Sequence, residues 1–302
     1  MRPEATTLYP PLQQAKKPIQ MASGWKFVKR KLARPKLAPS LLLMATLLGA
    51  AVPRLPAQDN RFDTGAYARV LEQFVAGDGR VRYAALKQDP ASLNEFLNQL
   101  AAVSPENRPE LFPTPEAQIA YWVNAYNAFV LKGVLNGYPV GSVRAFKFGF
   151  GLTFFKRAKH WAGGKKYSLD DIEHGILRKR YAEPRIHFAV NCASTSCPVL
   201  RNEPFQPETL DQQLDDAARR FIRQQENVWM RGDVLFLSKI FDWYEKDFIQ
   251  QLQREGAANP KLADYVARYL PEEEARRVRE QSPRVEFYRY DWSLNDASPR
   301  KK

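Results

Sequence analysis

Residues 115–135 constrain this chain more than any other stretch, because they open on Pro-Glu, a good helix start, and then run apolar on nearly every face. A helix of that kind has no solvent side, so it belongs at the centre of a domain with the rest of the chain wrapped about it. Gly137-Tyr138-Pro139 stops it. Amphipathic helices are expected over residues 63–74 (Tyr67, Val70, Leu71, Phe74), 90–103 (Leu93, Phe96, Leu97, Leu100) and 207–223 (Leu210, Leu214, Ala217, Phe221), where apolar residues recur at helical spacing. Helices are also expected over 239–253, 260–269 and 271–279. Ser168 with Asp171 three residues on forms a capping box for another, which carries Ile172, Ile176 and Leu177.

Strand signals are fewer. Val228-Trp229-Met230 and residues 234–237 flank Arg231-Gly232-Asp233 and predict a hairpin, whose turn explains that tripeptide better than an adhesion motif does. Residues 185–191 alternate Ile186, Phe188 and Val190 against His187, Ala189 and Asn191, the period of a strand, and 285–290 read as a last one. The predicted class is α+β, a mainly helical single domain around a small antiparallel sheet, with 58–113 as a helical cap and 114–296 as the core. Residues 143–161 place Phe146, Phe148, Phe150, Phe154 and Phe155 among Arg144, Lys147, Lys156, Arg157 and Lys159, and predict an aromatic, basic loop over that core. His160-Trp161 beside Gly163-Gly164 is a weaker candidate for a pocket edge.

The first 57 residues stand apart. Lys26, Lys29, Arg30, Lys31, Arg34 and Lys36 precede the apolar run 41–52, and Leu55-Pro56-Ala57 follows it, the layout of a cleavable signal peptide. Met21 would open a shorter leader with the same cleavage point. The apolar run is shorter than the roughly 20 residues a spanning helix needs. The expectation is therefore an exported chain, periplasmic or extracellular, with no transmembrane span after cleavage. This partition also changes the reading of the charge. Of the net +13, the leader holds +9, from ten Lys or Arg against Glu4 alone, which leaves +4 on 245 residues. That balance removes most of the support for nucleic acid as a partner.

Chemistry concentrates in three strings. His187-Phe-Ala-Val-Asn191-Cys192-Ala-Ser-Thr-Ser196-Cys197-Pro198 holds both cysteines of the chain. In an exported protein the pair reads as a Cys192–Cys197 disulfide, as a reactive Cys192 thiol with a histidine partner, or as inert free thiols. Strand parity turns His187 away from Cys192, so His174, next to Glu173 on the capped helix, is the candidate base. The cysteine spacing is not that of a zinc pair, so no metal and no cofactor is called for. Asn124 and Asn127 share one face of the central helix, where buried amides either fix neighbouring loops or orient a catalytic imidazole. Ser238-Lys239-Ile240-Phe241-Asp242-Trp243-Tyr244 starts a helix with aromatics, of which Trp243 is a candidate binding residue together with Asn127, His187 and Asn191.

Taken together, the strings Tyr121-Trp122-Val123-Asn124-Ala125-Tyr126-Asn127-Ala128, 168–178, 187–198, 237–244 with Asp247-Phe248, and 290–295 resemble the family known as domain of unknown function 547. The resemblance implies a bacterial exported domain, with other members attached to helical regions in plants, and it brings no established reaction. Two functions remain in view from the residues themselves. One is a thiol-dependent hydrolase or acyl transferase acting on a peptide or cell-envelope component, with Cys192 as nucleophile, His174 as base and Glu173 or Asn124 orienting it. Transglutaminase-like and papain-like enzymes offer the analogy of such a set on a helix packed against a small sheet. The other is a non-catalytic envelope binding or scaffold module, stapled by the disulfide and using residues 146–161 as its contact surface.

Overall fold

The computed structural model describes residues 61–145 and 153–298, and the segment expected to be a leader, residues 1–57, therefore lies outside the described residues. The described residues form one compact unit. Its axis is helix α4 (Pro115–Gly137), opened by Pro115 and by the Thr114 side chain, which accepts from the Ala117 N–H. Trp122, Val123, Ala125, Ala128 and Val134 are fully buried, as the all-round apolar pattern requires. Each large apolar side chain so buried contributes roughly 1.5–3 kcal/mol.

Helices α1 (Gly65–Phe74), α2 (Tyr83–Gln88) and α3 (Ala91–Ala102) share a hydrophobic cluster with α4, and Tyr67 stacks on Phe96 with ring centres 4.7 Å apart. A two-stranded antiparallel hairpin lies against α3, formed by β1 (His160–Ala162) and β2 (Lys165–Tyr167). Part of the expected aromatic loop is therefore strand, while residues 146–152 lie outside the described set. His160-Trp161 and Gly163-Gly164 are strand and turn of this hairpin. Gly163 sits at φ 55°, where an added Cβ would lie 2.0 Å from the Ser104 Oγ.

A second cluster is built by α5 (Leu210–Ile222), strands β3 (Val228–Arg231), β4 (Val234–Leu237) and β5 (Arg284–Phe287), and helices α6 (Lys239–Trp243), α7 (Glu245–Arg254), α8 (Leu262–Ala267) and α9 (Glu272–Gln281). β3 and β4 form the expected hairpin, Val228 opposite Leu237. β5 joins β4 in parallel, so this sheet is mixed. The helices α6 to α9 supply the crossover that a parallel neighbour requires. The helix expected over 239–253 breaks at Tyr244, whose φ of −118° ends α6 and opens α7. Among the described residues no helix is long and apolar enough to cross a membrane.

Residues 184–192 run between the two clusters, and here the structure corrects the sequence reading. Pro184–Phe188 is a short 3-10 helix, not a strand. Pro184 starts it, the Glu183 carboxylate caps the Arg185 N–H at 2.9 Å, and Arg185 pairs with Glu183, Asp211 and Asp215. Ile186 packs into the first cluster and Phe188 into the second, so the alternation of apolar residues reflects burial on two sides of one segment. The parity argument that turned His187 away from Cys192 falls with the strand.

Candidate functional site

The Ser168–Asp171 capping box forms as expected, each backbone N–H bonded to the other side chain at 2.8 and 3.1 Å. It opens a π-helix, Asp171–Tyr181, and π segments recur at functional sites. This helix, α4, the 184–192 segment, the break between α6 and α7, and the segment after β5 together enclose a pocket of about 290 Å³. Its lining includes Tyr126, Glu173, His174, His187, Cys192, Cys197, Trp243, Tyr244, Tyr290 and Trp292.

Glu173 is buried, and its two carboxylate oxygens accept the hydroxyls of Tyr126 at 3.1 Å and Tyr244 at 2.5 Å. Burial, and then the neighbouring carboxylate, push both tyrosines far above the usual phenol range, so both remain donors. Glu173 therefore positions two tyrosines and does not orient His174. His174 stands half-exposed at the rim, its Nδ1 2.9 Å from Arg178 and its Nε2 3.6 Å from Asp170.

His187 occupies the deeper position. Its side chain is fully buried, stacked on Tyr244 with ring centres 3.7 Å apart, and its Nε2 lies 2.8 Å from the Asp247 carboxylate. Asp247 also receives Arg178 in a bidentate pair at 2.6 and 2.9 Å. Burial alone would raise the Asp247 pKa, but the hydrogen bonds from His187 and Arg178 outweigh it and hold the carboxyl well below its usual range. Burial lowers the His187 pKa, against the opposing pull of Asp247, so the ring is neutral near pH 7. A neutral imidazole that donates from Nε2 to an ionised carboxylate carries its free lone pair on Nδ1. That Nδ1 is buried and has no hydrogen-bond partner.

Cys192 and Cys197 form a disulfide, with Cα atoms 6.1 Å apart. The Cys192 sulfur lies 3.0 Å from the Ser194 Oγ and 3.3 Å from the Tyr290 hydroxyl. Asn124 and Asn127 work elsewhere, each as a clamp on backbone. Asn124 donates to the Phe205 carbonyl at 2.8 Å and accepts its N–H at 2.9 Å, away from the pocket. Asn127 donates to the Ala189 carbonyl at 3.0 Å and accepts the Asn191 N–H at 2.8 Å, which fixes the chain entering the cysteine loop. Asn191 in turn donates to the Pro198 carbonyl and accepts the Ala193 N–H, shaping the loop. Of the residues singled out from sequence, the structure thus brings Glu173, His174, His187, Cys192, Cys197 and Trp243 to one pocket. It leaves Asn124, Asn127 and Asn191 as structural supports.

Asp247, Arg178, Tyr126, Tyr244 and Tyr290 complete the arrangement without having been assigned roles. All of them lie within the strings that carried the family resemblance, which was the one signal able to find them. Among the described residues no group of three or more His, Cys, Asp or Glu side chains could hold a metal ion.

Fold and site define an α+β domain wound on a buried helix, with an aromatic pocket that joins an Asp–His pair to a disulfide. Residues 112–222 match the family model described as Protein of unknown function, DUF547. The match includes α4, His187 and both cysteines, while Asp247, Tyr244 and Tyr290 lie beyond it. No curated protein and no solved structure matches the chain.

Proposed function

We propose that this is an exported thiol enzyme, a hydrolase or acyl transferase acting on a peptide or cell-envelope component, with Cys192 as nucleophile and His187, not His174, as base. The observation that carries the reading is the His187–Asp247 bond of 2.8 Å, which leaves a buried, unpartnered Nδ1 on a ring that lines the same pocket as Cys192. In the reduced protein, the Cys192 S–H proton passes to Nδ1 and the thiolate adds to the substrate carbonyl carbon. The leaving amine or alcohol takes the proton back from His187, and an acyl thioester remains on Cys192. Water or an acceptor amine, deprotonated by the same Nδ1, then attacks the thioester and releases the product. Asp247 positions the ring and stabilises its protonated form.

The disulfide favours a second reading. While Cys192 is bonded to Cys197 it has no thiolate, and the aromatic pocket is then a binding site in a non-catalytic envelope module. The two readings separate on one experiment. The reduced protein is mixed with p-nitrophenyl acetate and Cys192 is followed by mass spectrometry. An acetyl adduct that is absent in Cys192→Ser and slowed in His187→Gln supports the enzyme. A folded, reduced protein that forms none gives the binding module precedence.

A further inference from the structure

We propose that the Cys192–Cys197 disulfide is a thiol–disulfide exchange centre, opened within the pocket by a dithiol reductant that uses His187 as base. What the released Cys192 thiol then does rests on the acyl-transfer reading. The exchange itself stands on the surroundings of the bond.

The first observation is access. Both cysteines are half-buried and both line the pocket, and Cys197 also lines a second cavity of about 880 Å³. Cys197 thus meets open space on two sides and Cys192 on one. Disulfides that persist as structural staples are the inaccessible ones, whereas exposed ones exchange.

The second observation is that the loop is held without it. The Thr195 N–H donates to the Ser293 carbonyl at 2.8 Å, the Asn295 N–H to the Ala193 carbonyl at 3.2 Å, and the Asn191 amide to the Pro198 carbonyl at 2.7 Å. Closing so short a loop removes little entropy from the unfolded chain, so a staple here gives the least that a disulfide can give.

The third is the set of donors around each sulfur. Disulfide sulfurs are weak acceptors, but thiolates are strong ones. The Tyr290 hydroxyl lies 3.3 Å from Cys192 Sγ and itself accepts the Ser194 hydroxyl at 3.0 Å, and the Cys192 N–H points at Cys197 Sγ from 2.8 Å. Burial keeps Tyr290 protonated far above neutral pH, so it stays a donor. Tyr290, polarised by Ser194 behind it, gives Cys192 a hydroxyl donor and makes it the leaving thiolate.

The reaction follows. One thiol of the reductant gives its proton to His187 Nδ1, and its thiolate attacks Cys197 Sγ. The Cys192–Cys197 bond breaks, and its electron pair leaves on Cys192 Sγ beside Ser194 and Tyr290. The second thiol of the reductant then attacks the mixed disulfide at its own first sulfur and forms the reductant's disulfide. Cys197 leaves and takes that second thiol's proton. Two electrons pass from dithiol to disulfide, and the pocket is left with a Cys192 thiolate beside protonated His187.

The test uses the full chain and dithiothreitol, with iodoacetamide trapping under native conditions, mass spectrometry, and circular dichroism to confirm the fold. The bond is expected to open while the protein stays folded. His187→Gln should slow opening roughly 100-fold and flatten its dependence on pH through neutrality. Tyr290→Phe, which removes one hydroxyl and no packing, should slow opening severalfold and move Cys192 alkylation to higher pH. If His187→Gln fails to fold, Tyr290→Phe decides alone. A bond that opens only when the protein unfolds overturns the proposal, and so does a Tyr290→Phe protein with unchanged rate and pH profile. Cys197→Ser separates the two ideas because it frees Cys192 without exchange. If that variant is acetylated by p-nitrophenyl acetate while the native bond resists reductant, exchange falls and acyl transfer stands. If the native bond opens readily and the variant is never acetylated, exchange stands and acyl transfer falls.

Discussion

Asn127→Ala should loosen the cysteine loop as well as destabilise the fold. The amide holds the Ala189 carbonyl and the Asn191 N–H through bonds of 3.0 and 2.8 Å, and it is 3% exposed, so no water can replace it. Truncation leaves one buried acceptor and one buried donor unpaired, each costing about 1–3 kcal/mol, for a total of about 2–6 kcal/mol. For a domain of this size that corresponds to a Tm lowered by roughly 4–24 °C. Asn124→Ala is the matched comparison, since it removes two equivalent bonds to Phe205 and should cost a similar amount. The two variants should diverge in hydrogen exchange: residues 189–192 lose protection in Asn127→Ala and keep it in Asn124→Ala. Calorimetry with residue-resolved exchange reads both effects. A Tm shift under about 2 °C, or the same exchange pattern in both variants, would refute the clamp assignment.

Three further outcomes are expected. Asp247→Asn puts an amide N–H against His187 Nε2 and moves the ring proton onto Nδ1, so alkylation of reduced Cys192 near neutral pH should fall roughly 100-fold; a rate within about twofold of wild type contradicts the assigned base. His160, stacked on Phe129 at 4.6 Å, has its pKa lowered by burial from 6.5 to about 4. Its folded form resists protonation, so it contributes stability that is fully present above pH 6.5 and lost as pH falls towards 4, about 3 kcal/mol in all. His160→Phe should flatten that part of the acid limb in urea titrations, and an unchanged slope would count against it. Gly163→Ala forces a Cβ to 2.0 Å from Ser104 at positive φ and should cost about 1–3 kcal/mol, more than Gly164→Ala, whose Cβ meets nothing, as denaturant midpoints would show.

The helices were legible because their signals are local. Proline at 115, the apolar circumference of α4, the Ser168–Asp171 box and the spacing of Leu210, Leu214 and Phe221 each act within a turn or two of chain, and each appears in the structure. The hairpin of β3 and β4 was legible for the same reason, through its Gly232 turn. Residues 185–191 misled because an alternating apolar pattern has two causes, and here 186–191 are all buried. A strand between a core and solvent produces it, and so does a short helix wedged between two cores.

The candidate site divides along the same line. The sequence placed Cys192, Cys197, His187, Glu173 and His174 in a few strings and set a disulfide against a free thiol, because residue types state what chemistry is available. Which histidine is a base, and which carboxylate serves it, depends on contacts across 60 residues between His187 and Asp247, and 98 between Cys192 and Tyr290. Such pairs are made by packing α7 and the segment after β5 against the 184–192 segment, and no periodicity records them. Sequence by itself determined a buried helix, the elements wrapped on it and the inventory of reactive groups. Tertiary structure alone decided the parallel placement of β5, the joining of Asp247 to His187, and the exposure of the disulfide to a pocket, because hydrogen bonding and burial at those points are properties of distant segments brought together.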